Sequence, residues 1–334
     1  MKEYLVDVPV QINIWIRPNC QKKQFEVIKK ARPSMLFIIS DGGRNEYEKK
    51  IIAKNRNFIE KSIDWECEIY KIYEEENCGM YTMGRKARKL VWSTVDRCIF
   101  LEDDIVPSVS FFSFCKQMLD KYENDLRISH ICGMNHLGKY NVGKSDYFFS
   151  RQGSIWGFAM WKRTYEQYYN FSYGKEEYVL KLLKQRCKRN KCFWNRVKVY
   201  GKSDIYEGHI AGDEFFLELN MYAHNQLQII PSQNLISNIG CTEDSTHASE
   251  YYDLPPGIRR VFKAQTYEID HELNHPMYVI PDIEYEKKRN KIMGYNYFFI
   301  EQRRKVWKGI HYLLSGRWNV VVKKILMSNK KNET

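Results

Sequence analysis

The chain has 334 residues, of which 43% are hydrophobic and 15% aromatic, and its formal net charge is +12. This composition excludes a disordered chain and allows a sizeable core, in one large α/β domain or two smaller ones. No apolar run approaches the roughly 18 residues of a membrane span, and residues 1–7 lack the apolar core of a secretion signal. The nine cysteines show no zinc-site spacing, which favours reduced thiols in a cytoplasmic protein.

The positive charge is concentrated in two blocks. Segments 181–202 and 302–334 each carry nine Lys or Arg residues, and the only acid in either block is Glu333. The rest of the chain is slightly acidic. This distribution favours a local anionic surface or partner over general binding of nucleic acid.

Strands and helices alternate at the start of the chain. Val10–Ile16 alternates apolar and polar residues, Met35–Ser40 is a second predicted strand, and Glu66–Tyr73 is a third. The first intervening helix closes at Pro33, and the second covers about 46–62. This order predicts a parallel sheet with crossover helices, in which ligands bind beyond the carboxyl ends of the strands.

A fourth apolar strand ends in three consecutive acids. Residues 98–101 run directly into Glu102–Asp104. Three carboxylates at a strand end repel one another, so we expect a cation beside them, and oxygen ligands suit Mg²⁺ or Mn²⁺. A solvated acidic turn is the alternative that this stretch alone leaves open. Because Arg17 and Asp41 also follow predicted strands, we expect them in the same crevice.

Gly79–Lys86 is similar to a phosphate-binding loop but does not match its pattern. Arg85 and Lys86 occupy the positions where that pattern requires lysine and a hydroxyl residue. A glycine-bounded loop remains, and it leads into a helix whose basic N-terminal half could hold phosphate oxygens. A solvated helix face is an equal alternative for Arg88 and Lys89.

Three later features are candidates for a site. Glycines close to Trp156 would let its aromatic face approach a ligand, although core packing would also explain aromatics here. Asp213 and Glu214 open a helix, and helix capping alone would account for one of these acids. The polar loop 243–247 is a candidate lid, but a lone histidine such as His247 is more often incidental.

The last segment is predicted to be a basic amphipathic helix. Its apolar face would include Val306, Ile310, Leu314 and Trp318. Such a helix can lie on an anionic membrane surface, and packing against the domain is the competing interpretation.

Four blocks, in order along the chain, resemble GT-A nucleotide-sugar glycosyltransferases. The closest resemblance is to the bacterial haemolytic-protein-like nucleotide-diphospho-sugar transferases, whose catalytic domain is similar to that of N-acetylglucosaminyltransferase I. The blocks are residues 100–108 with the Phe111-Phe112 helix, residues 154–161, residues 235–247, and the His275-Pro276 pair.

The resemblance implies an α/β GT-A fold, which is a Rossmann-like, mostly parallel central sheet flanked by helices. The glycosyltransferase domain would cover residues 1–280. Its nucleotide-binding half would be 1–107, and its acceptor and catalytic half would be 108–280. A basic amphipathic helical tail, 281–334, would follow.

The resemblance also implies roles for individual residues in binding the donor. Arg17 and Asp41 would hold the uridine and its neighbouring groups. Glu102 opens the family's variant of the Asp-x-Asp motif, in which Asp103 would contact the ribose or sugar. Asp104 would bind the Mn²⁺ or Mg²⁺ that bridges the two phosphates.

Further roles follow from the same resemblance. The match is poorest around the glycine-bounded loop, and Arg85 and Lys86 are both retained there as donor-binding residues. Trp156 would add a wall to the donor site, and His247 would lie on a loop that closes over the diphosphate. Asp213 stands where the family has its catalytic base.

These assignments predict a metal-dependent enzyme that transfers a sugar from a UDP-sugar, such as UDP-GlcNAc or UDP-Gal, to a hydroxyl of a glycan acceptor. One base and direct attack would invert the anomeric configuration. The basic blocks fit a lipid-linked acceptor at the inner face of the cytoplasmic membrane, in capsule or lipopolysaccharide synthesis.

Three other classes of protein remain as alternatives. A sugar-phosphate nucleotidyltransferase would share the metal-binding carboxylates, but its glycine-rich loop is missing at residues 17–20. A nucleic-acid-binding protein would use the two basic blocks, and the acidic crevice argues against it. A lectin-like module would keep the tryptophan and need no metal.

Overall fold

The structure, a computed structural model, describes residues 1–167, 171–187, 190–202, 212–241, 251, 254–316 and 318. The strands are β1 (Val6–Ile14), β2 (Pro33–Ser40), β3 (Glu68–Tyr73), β4 (Arg97–Leu101), β5 (Ile105–Pro107), β6 (Ile128–Cys132), β7 (Tyr147–Ser150), β8 (Phe158–Trp161), β9 (Leu227–Pro231) and β10 (Ile236–Asn238). The helices are α1 (Pro18–Ala31), α2 (Glu46–Ser62), α3 (Met80–Thr94), α4 (Ser110–Lys121), α5 (Lys162–Tyr165), α6 (Glu177–Arg186), α7 (Lys191–Lys202), α8 (Asp213–Ala223), α9 (Pro256–Arg259), α10 (Ile283–Met293) and α11 (Phe298–Leu314), and a 3₁₀ helix covers Phe171–Lys175.

Eight strands form one central sheet in the order β3-β2-β1-β4-β8-β6-β9-β7. The first four strands in this order are mutually parallel, and β6 pairs with β9 in parallel. Only β8 and β7 run against their neighbours. The structure therefore confirms the predicted α/β architecture, with a mostly parallel sheet, flanking helices and a helical C-terminal extension.

The sheet separates two hydrophobic clusters, and the alternation of side chains along each strand assigns residues to them. In β4, Ile99 and Leu101 belong to the first cluster, whereas Phe100 belongs to the second. Phe25 of α1 packs in the first cluster, and Trp92 of α3 packs in the second. Both faces of β4 are therefore buried, as its uninterrupted apolar sequence predicts.

The strand order reverses between β1 and β4. The chain proceeds outward from β1 to β2 and β3, and then returns to the opposite side of β1 as β4. Because β1 and β4 are parallel, their carboxyl ends open at the same edge, where the connections leave in opposite directions. The crevice at this reversal is where Arg17 and the three acids lie.

The first helix of the segment that the sequence assigns to the tail packs within the main core. In α10, Tyr285 is fully buried, and its ring lies 4.6 Å from that of Phe148. Arg304 of α11 donates hydrogen bonds to the carbonyls of Ile292 and Met293, so α11 is fixed to the end of α10.

The opposite face of α11 is apolar and exposed. Val306 is 61% exposed, Ile310 is 52% exposed and Leu314 is 84% exposed. Residues 319–334, which complete the predicted amphipathic segment, lie outside the described residues. Across the part of the chain that the structure describes, no helix combines the length and the apolar character needed to cross a membrane.

Candidate active site

Arg17 joins the ends of β1 and β4 through charged hydrogen bonds. Its Nε and Nη2 donate to the two oxygens of Asp103 at 2.7 and 2.5 Å, and its Nη1 donates to Asp104 Oδ2 at 2.8 Å. The Arg17 side chain is only 12% exposed. The bidentate geometry fixes the plane of the Asp103 carboxylate. The structure thus brings together three of the residues predicted to form the site.

Hydrogen bonds to its main-chain carbonyls fix the shape of the acidic turn. Gln24 Nε2 on α1 donates to the carbonyls of Glu102 (2.5 Å) and Ile105 (2.8 Å), and the Ile239 amide donates to the Asp104 carbonyl at 3.0 Å. Next to Ile239, a Cβ on Gly240 would overlap the Asp104 carboxylate and crowd Arg17. Only glycine therefore allows this segment to approach the acids so closely.

The acids outnumber the cations in this crevice. Burial raises the pKa of the Asp103 carboxyl to about 6, and the ion pair with Arg17 limits that rise. Desolvation by the surrounding protein and the charges of Asp104 and Asp103 raise the pKa of the Glu102 carboxyl to about 8, although its side chain is exposed to solvent. The site is short of positive charge, which favours a bound cation.

Asp104 has a free ligand atom. Its Oδ2 is paired with Arg17, whereas its Oδ1 is buried and has no hydrogen-bond partner among the described residues. A buried carboxylate oxygen without a partner is costly, and a hard cation would satisfy it. Within the described ranges, no three His, Cys, Asp or Glu side chains are arranged to hold a metal by themselves. Asp104 therefore fits a metal whose other ligands come from a bound substrate or from water.

Asp213 faces the same crevice from the start of α8, and Arg88 holds it there. Arg88 Nη2 donates to Asp213 Oδ2 at 2.8 Å and Nη1 donates to Gln11 Oε1 at 3.0 Å, while its guanidinium carbon lies 3.9 Å from the centre of the Phe100 ring. The charge of Asp213 contributes to the raised pKa of Glu102, so the two acids belong to one electrostatic site.

Arg88 is the site residue that the sequence reasoning missed. A solvated helix face was an equal interpretation for it, but Arg88 is only 8% exposed. Its position next to Ala87, and three and four residues before the buried Val91 and Trp92, was the available signal. Lys89, for which a solvated helix face was also an interpretation, is exposed as expected.

Asp41 lies at the end of β2, and its carboxylate is fully engaged by its own surroundings. Its oxygens accept hydrogen bonds from the amides of Gly42 and Cys78 at 2.8 Å, from the Gly79 amide at 2.9 Å and from the Asn77 side chain at 3.1 Å. In the structure, Asp41 thereby holds the loop that leads into α3 and is not hydrogen-bonded to the acidic cluster.

Arg85 and Lys86, the two basic residues predicted to contact the nucleotide-sugar donor, lie on the exposed side of α3. Lys86 Nζ pairs with Glu74 Oε1 at 2.5 Å, which turns it toward β3. Arg85 is exposed in the first half of the same helix. These positions are compatible with a long anionic ligand that extends past the end of β3.

Trp156 lies in the loop before β8 and is half-buried against Phe262, with ring centroids 4.9 Å apart. The next residue, Gly157, has a φ of 62°, and a Cβ there would contact Ile105 and overlap Ile236. The glycine thus allows the Trp156 loop to pass close to the chain that follows the acids. His247 and the rest of the predicted lid, 243–247, lie outside the described residues.

Comparison with family models and with curated proteins found no match for the chain. Among solved structures, the chain is similar to the apo form of mouse xyloside xylosyltransferase 1, with 12% sequence identity and a TM-score of 0.36. The similarity covers 67% of this chain and 84% of that one. At this TM-score it supports no statement about activity.

Proposed function

We propose that the protein is a metal-dependent glycosyltransferase that uses a UDP-sugar and transfers the sugar to a hydroxyl of a glycan acceptor. The observation that carries this proposal is the buried Oδ1 of Asp104, which has no hydrogen-bond partner in the described part of the chain. It lies in a strand-end cluster of three acids and one arginine. Mn²⁺ or Mg²⁺ typically uses one or two carboxylates and takes its other ligands from substrate phosphates and water. When bound, such an ion neutralises the charge that develops on a diphosphate leaving group.

The residues around the acidic turn would then divide the work of binding the donor. Asp104 would hold the metal through Oδ1, and Asp103 would present an oriented carboxylate edge to the ribose or sugar. Arg17 would keep both acids in place and limit their mutual repulsion. Trp156 would close the donor side of the site with an aromatic wall. Glu102 would ionise when a cation binds beside it, because the cation would lower its raised pKa, and it would then add negative charge at the mouth of the crevice.

Asp213 would act as the general base that accepts the proton of the attacking hydroxyl. Its ion pair with Arg88 fixes the carboxylate on the side of α8 that faces Glu102. The neighbouring Glu214 is less suitable, because it is 52% exposed and its nearest described cation is Arg196, at 4.0 Å. A single base with direct attack on the anomeric carbon supports inversion of configuration.

Product analysis with Mn²⁺, a panel of UDP-sugars and simple glycan acceptors tests this function. We expect release of UDP, faster with acceptor present, and loss of transfer in Asp213→Asn with UDP binding unchanged. Asp96→Asn, at an acid whose side chain is 91% exposed, is the matched control and should retain transfer. In a parallel assay with UTP and a sugar 1-phosphate, release of pyrophosphate would instead identify a nucleotidyltransferase. Transfer that continues in a chelator would refute the metal assignment.

For cellular context, we propose a surface polysaccharide pathway in which a lipid-linked acceptor is reached from the inner face of the cytoplasmic membrane. Support comes from α11, where exposed apolar residues alternate with the cations Arg303 and Lys305. Such a surface suits an anionic bilayer. The helix would place the enzyme beside its acceptor without spanning the membrane.

A further inference from the structure

A second polar pocket lies beside the proposed catalytic base. It has a volume of about 120 Å³ and lies between α7, α8, α10 and the loop 151–155, which leads directly to Trp156. Its lining includes Glu214 and Glu218 of α8, so it continues the crevice along the helix that begins with Asp213. A pocket of this size can hold several water molecules, so it has room for the substituent of a larger ligand.

Arg289 gives this pocket a buried positive charge that has no ion-pair partner among the described residues. It is only 6% exposed, and the oxygens to which its guanidinium donates in the described ranges are neutral: Gly153 O at 2.7 Å and Asn290 Oδ1 at 3.3 Å. Its guanidinium carbon also lies 5.1 Å from the centre of the Tyr295 ring, which contributes a cation–π contact but no counter-ion. Its Nε is buried without a hydrogen-bond partner, and no ion pair connects it to any carboxylate in the described ranges. Burying a charge without a counter-ion is costly, so an anion would stabilise this site.

The carboxylates of the pocket are paired with another arginine, although the charges of Glu218 and Arg289 also attract each other. Glu218 is already engaged, because it accepts from Arg196 Nη2 at 2.6 Å and from Asn190 Nδ2 at 2.8 Å. Glu214 turns toward the same arginine. Arg151, which is half-buried on the opposite wall, adds a third guanidinium to the lining. The pocket therefore holds three guanidinium groups against two carboxylates.

We propose that this pocket binds an anionic substituent of the acceptor, either a carboxylate or a phosphate, and that Arg289 is the residue that recognises it. The identification of the ligand as the acceptor rests on the proposed glycosyltransferase function, whereas the anion site itself rests on the pocket. Planar, bidentate recognition of carboxylate and phosphate is the chemistry to which a guanidinium is best suited.

This assignment also explains how an acceptor would be oriented. The pocket and the base share α8, since the pocket faces residues 214, 217, 218 and 221 of the helix that starts at Asp213. An acceptor anchored by its anionic group would present a neighbouring hydroxyl to the Asp213 carboxylate. Acceptors without the charge would lose this anchor and would be poor substrates.

Direct binding to the full chain tests the proposal, with glucose 6-phosphate, glucuronate and glucose as probes in titration calorimetry. We expect at least one of the two anions to bind and the neutral sugar not to bind. The difference between the anions identifies phosphate or carboxylate as the preferred group. Arg289→Lys should weaken anion binding about tenfold or more, because it loses charged hydrogen bonds of fixed geometry.

Two further variants keep this test decisive. Arg151→Gln changes a half-buried wall residue and should weaken the same binding even if Arg289→Lys folds poorly. Arg303→Lys makes the matched change at an exposed arginine of α11 and should have no effect. Equal binding of glucose and the anions, or unchanged anion binding in both pocket variants, would overturn the proposal.

Binding of UDP with Mn²⁺, measured on the same proteins, separates this inference from the function on which it depends. Anion binding without nucleotide binding would leave the anion site in place and remove the glycosyltransferase function. Nucleotide binding without anion binding would remove the anion site and leave the glycosyltransferase function in place. Loss of both anion binding and nucleotide binding in Arg289→Lys would indicate misfolding. Anion binding by Arg151→Gln would then decide whether the pocket is the anion site.

Discussion

At the scale of single residues, the site depends on close approach as much as on charge. Gly240 lies against the Asp104 carboxylate and Arg17, and this contact leaves no room for a side chain. The ion pairs of Arg17 hold the two aspartates within a space that the following segment closes. A change in this packing should therefore alter binding without removing any charged group.

Replacement of Gly240 by Ala should displace Asp104 or Arg17 and weaken the binding of UDP with Mn²⁺ by about tenfold or more, because the overpacked contact cannot relax without moving Asp104, the proposed metal ligand. Titration calorimetry measures this loss. Gly309→Ala is the control, since a Cβ there meets no atom within 4 Å. Equal nucleotide affinity in both variants would contradict the close-packing argument.

Arg88→Lys tests whether Arg88 positions Asp213, the proposed base. Lysine keeps the charge but cannot pair with Asp213 and Gln11 simultaneously or cover the Phe100 ring in the same way. We expect kcat for transfer to fall about tenfold or more while donor binding changes little. The comparison is with Lys89→Arg, an equally conservative change at the exposed neighbour. A Tm decrease with kcat unchanged would limit Arg88 to a structural role.

His130 predicts a pH dependence of folding stability. It is 2% exposed in β6, and burial lowers its pKa to about 4 from the ordinary value of 6.5. Its contribution to stability is therefore complete above pH 6.5 and is lost as the pH falls toward 4. The difference is on the order of 3 kcal/mol at the acid end.

Replacement of His130 by Gln should flatten the decrease of Tm between pH 6.5 and 4.5, because the uncharged amide has no proton to gain. Thermal unfolding over this range measures the effect. His224→Gln, at an exposed histidine after α8, should leave the wild-type slope unchanged. An identical slope in the His130 variant would show that this histidine does not control the acid response.

At the scale of elements, the parallel half of the sheet could be predicted from the sequence, and the pairing of the rest could not. The bounds of α2 and the positions of β2, β3 and β4 follow from apolar runs and turn residues, although β1 begins at Val6 and ends at Ile14, earlier than expected. Strands β6 to β9 are short and buried on both faces, so no alternation indicates their order.

The site shows the same division. Arg17 and the acids could be placed together because strand ends of a parallel sheet share one edge. The orientation of Arg88 could not, since charge alone suggests a solvated helix face. The hydrogen bonds of Asp41 to the loop before α3 depend on a turn whose shape no spacing rule specifies.

We predict that helix α11 binds the protein to vesicles that contain phosphatidylglycerol. The full chain should bind them, and Ile310→Gln with Leu314→Gln should reduce binding about tenfold or more, because two exposed apolar side chains lose their favourable transfer into the bilayer. Leu126→Gln, at another exposed leucine, is the control. Unchanged binding would show that this face of α11 does not bind the membrane.

At the scale of the whole molecule, the crevice exists only in the folded chain. It requires the ends of β1 and β4, the start of α8 and the segment after β10, which are distant in sequence. A ligand that binds this assembly and not the unfolded chain must raise the free energy of unfolding. Global stability therefore reports on the site even before any acceptor is known.

UDP and Mn²⁺ together should raise Tm by about 4 °C at a hundredfold excess over Kd, which contributes about 2.7 kcal/mol. Either ligand alone should have a much smaller effect, because the metal needs both Asp104 and the diphosphate. Asp104→Asn should abolish the combined shift, while Asp96→Asn, at an acid that is 91% exposed, should preserve it. A full shift with UDP alone would mean that the nucleotide binds without metal, and Asp104 Oδ1 would then need a different partner.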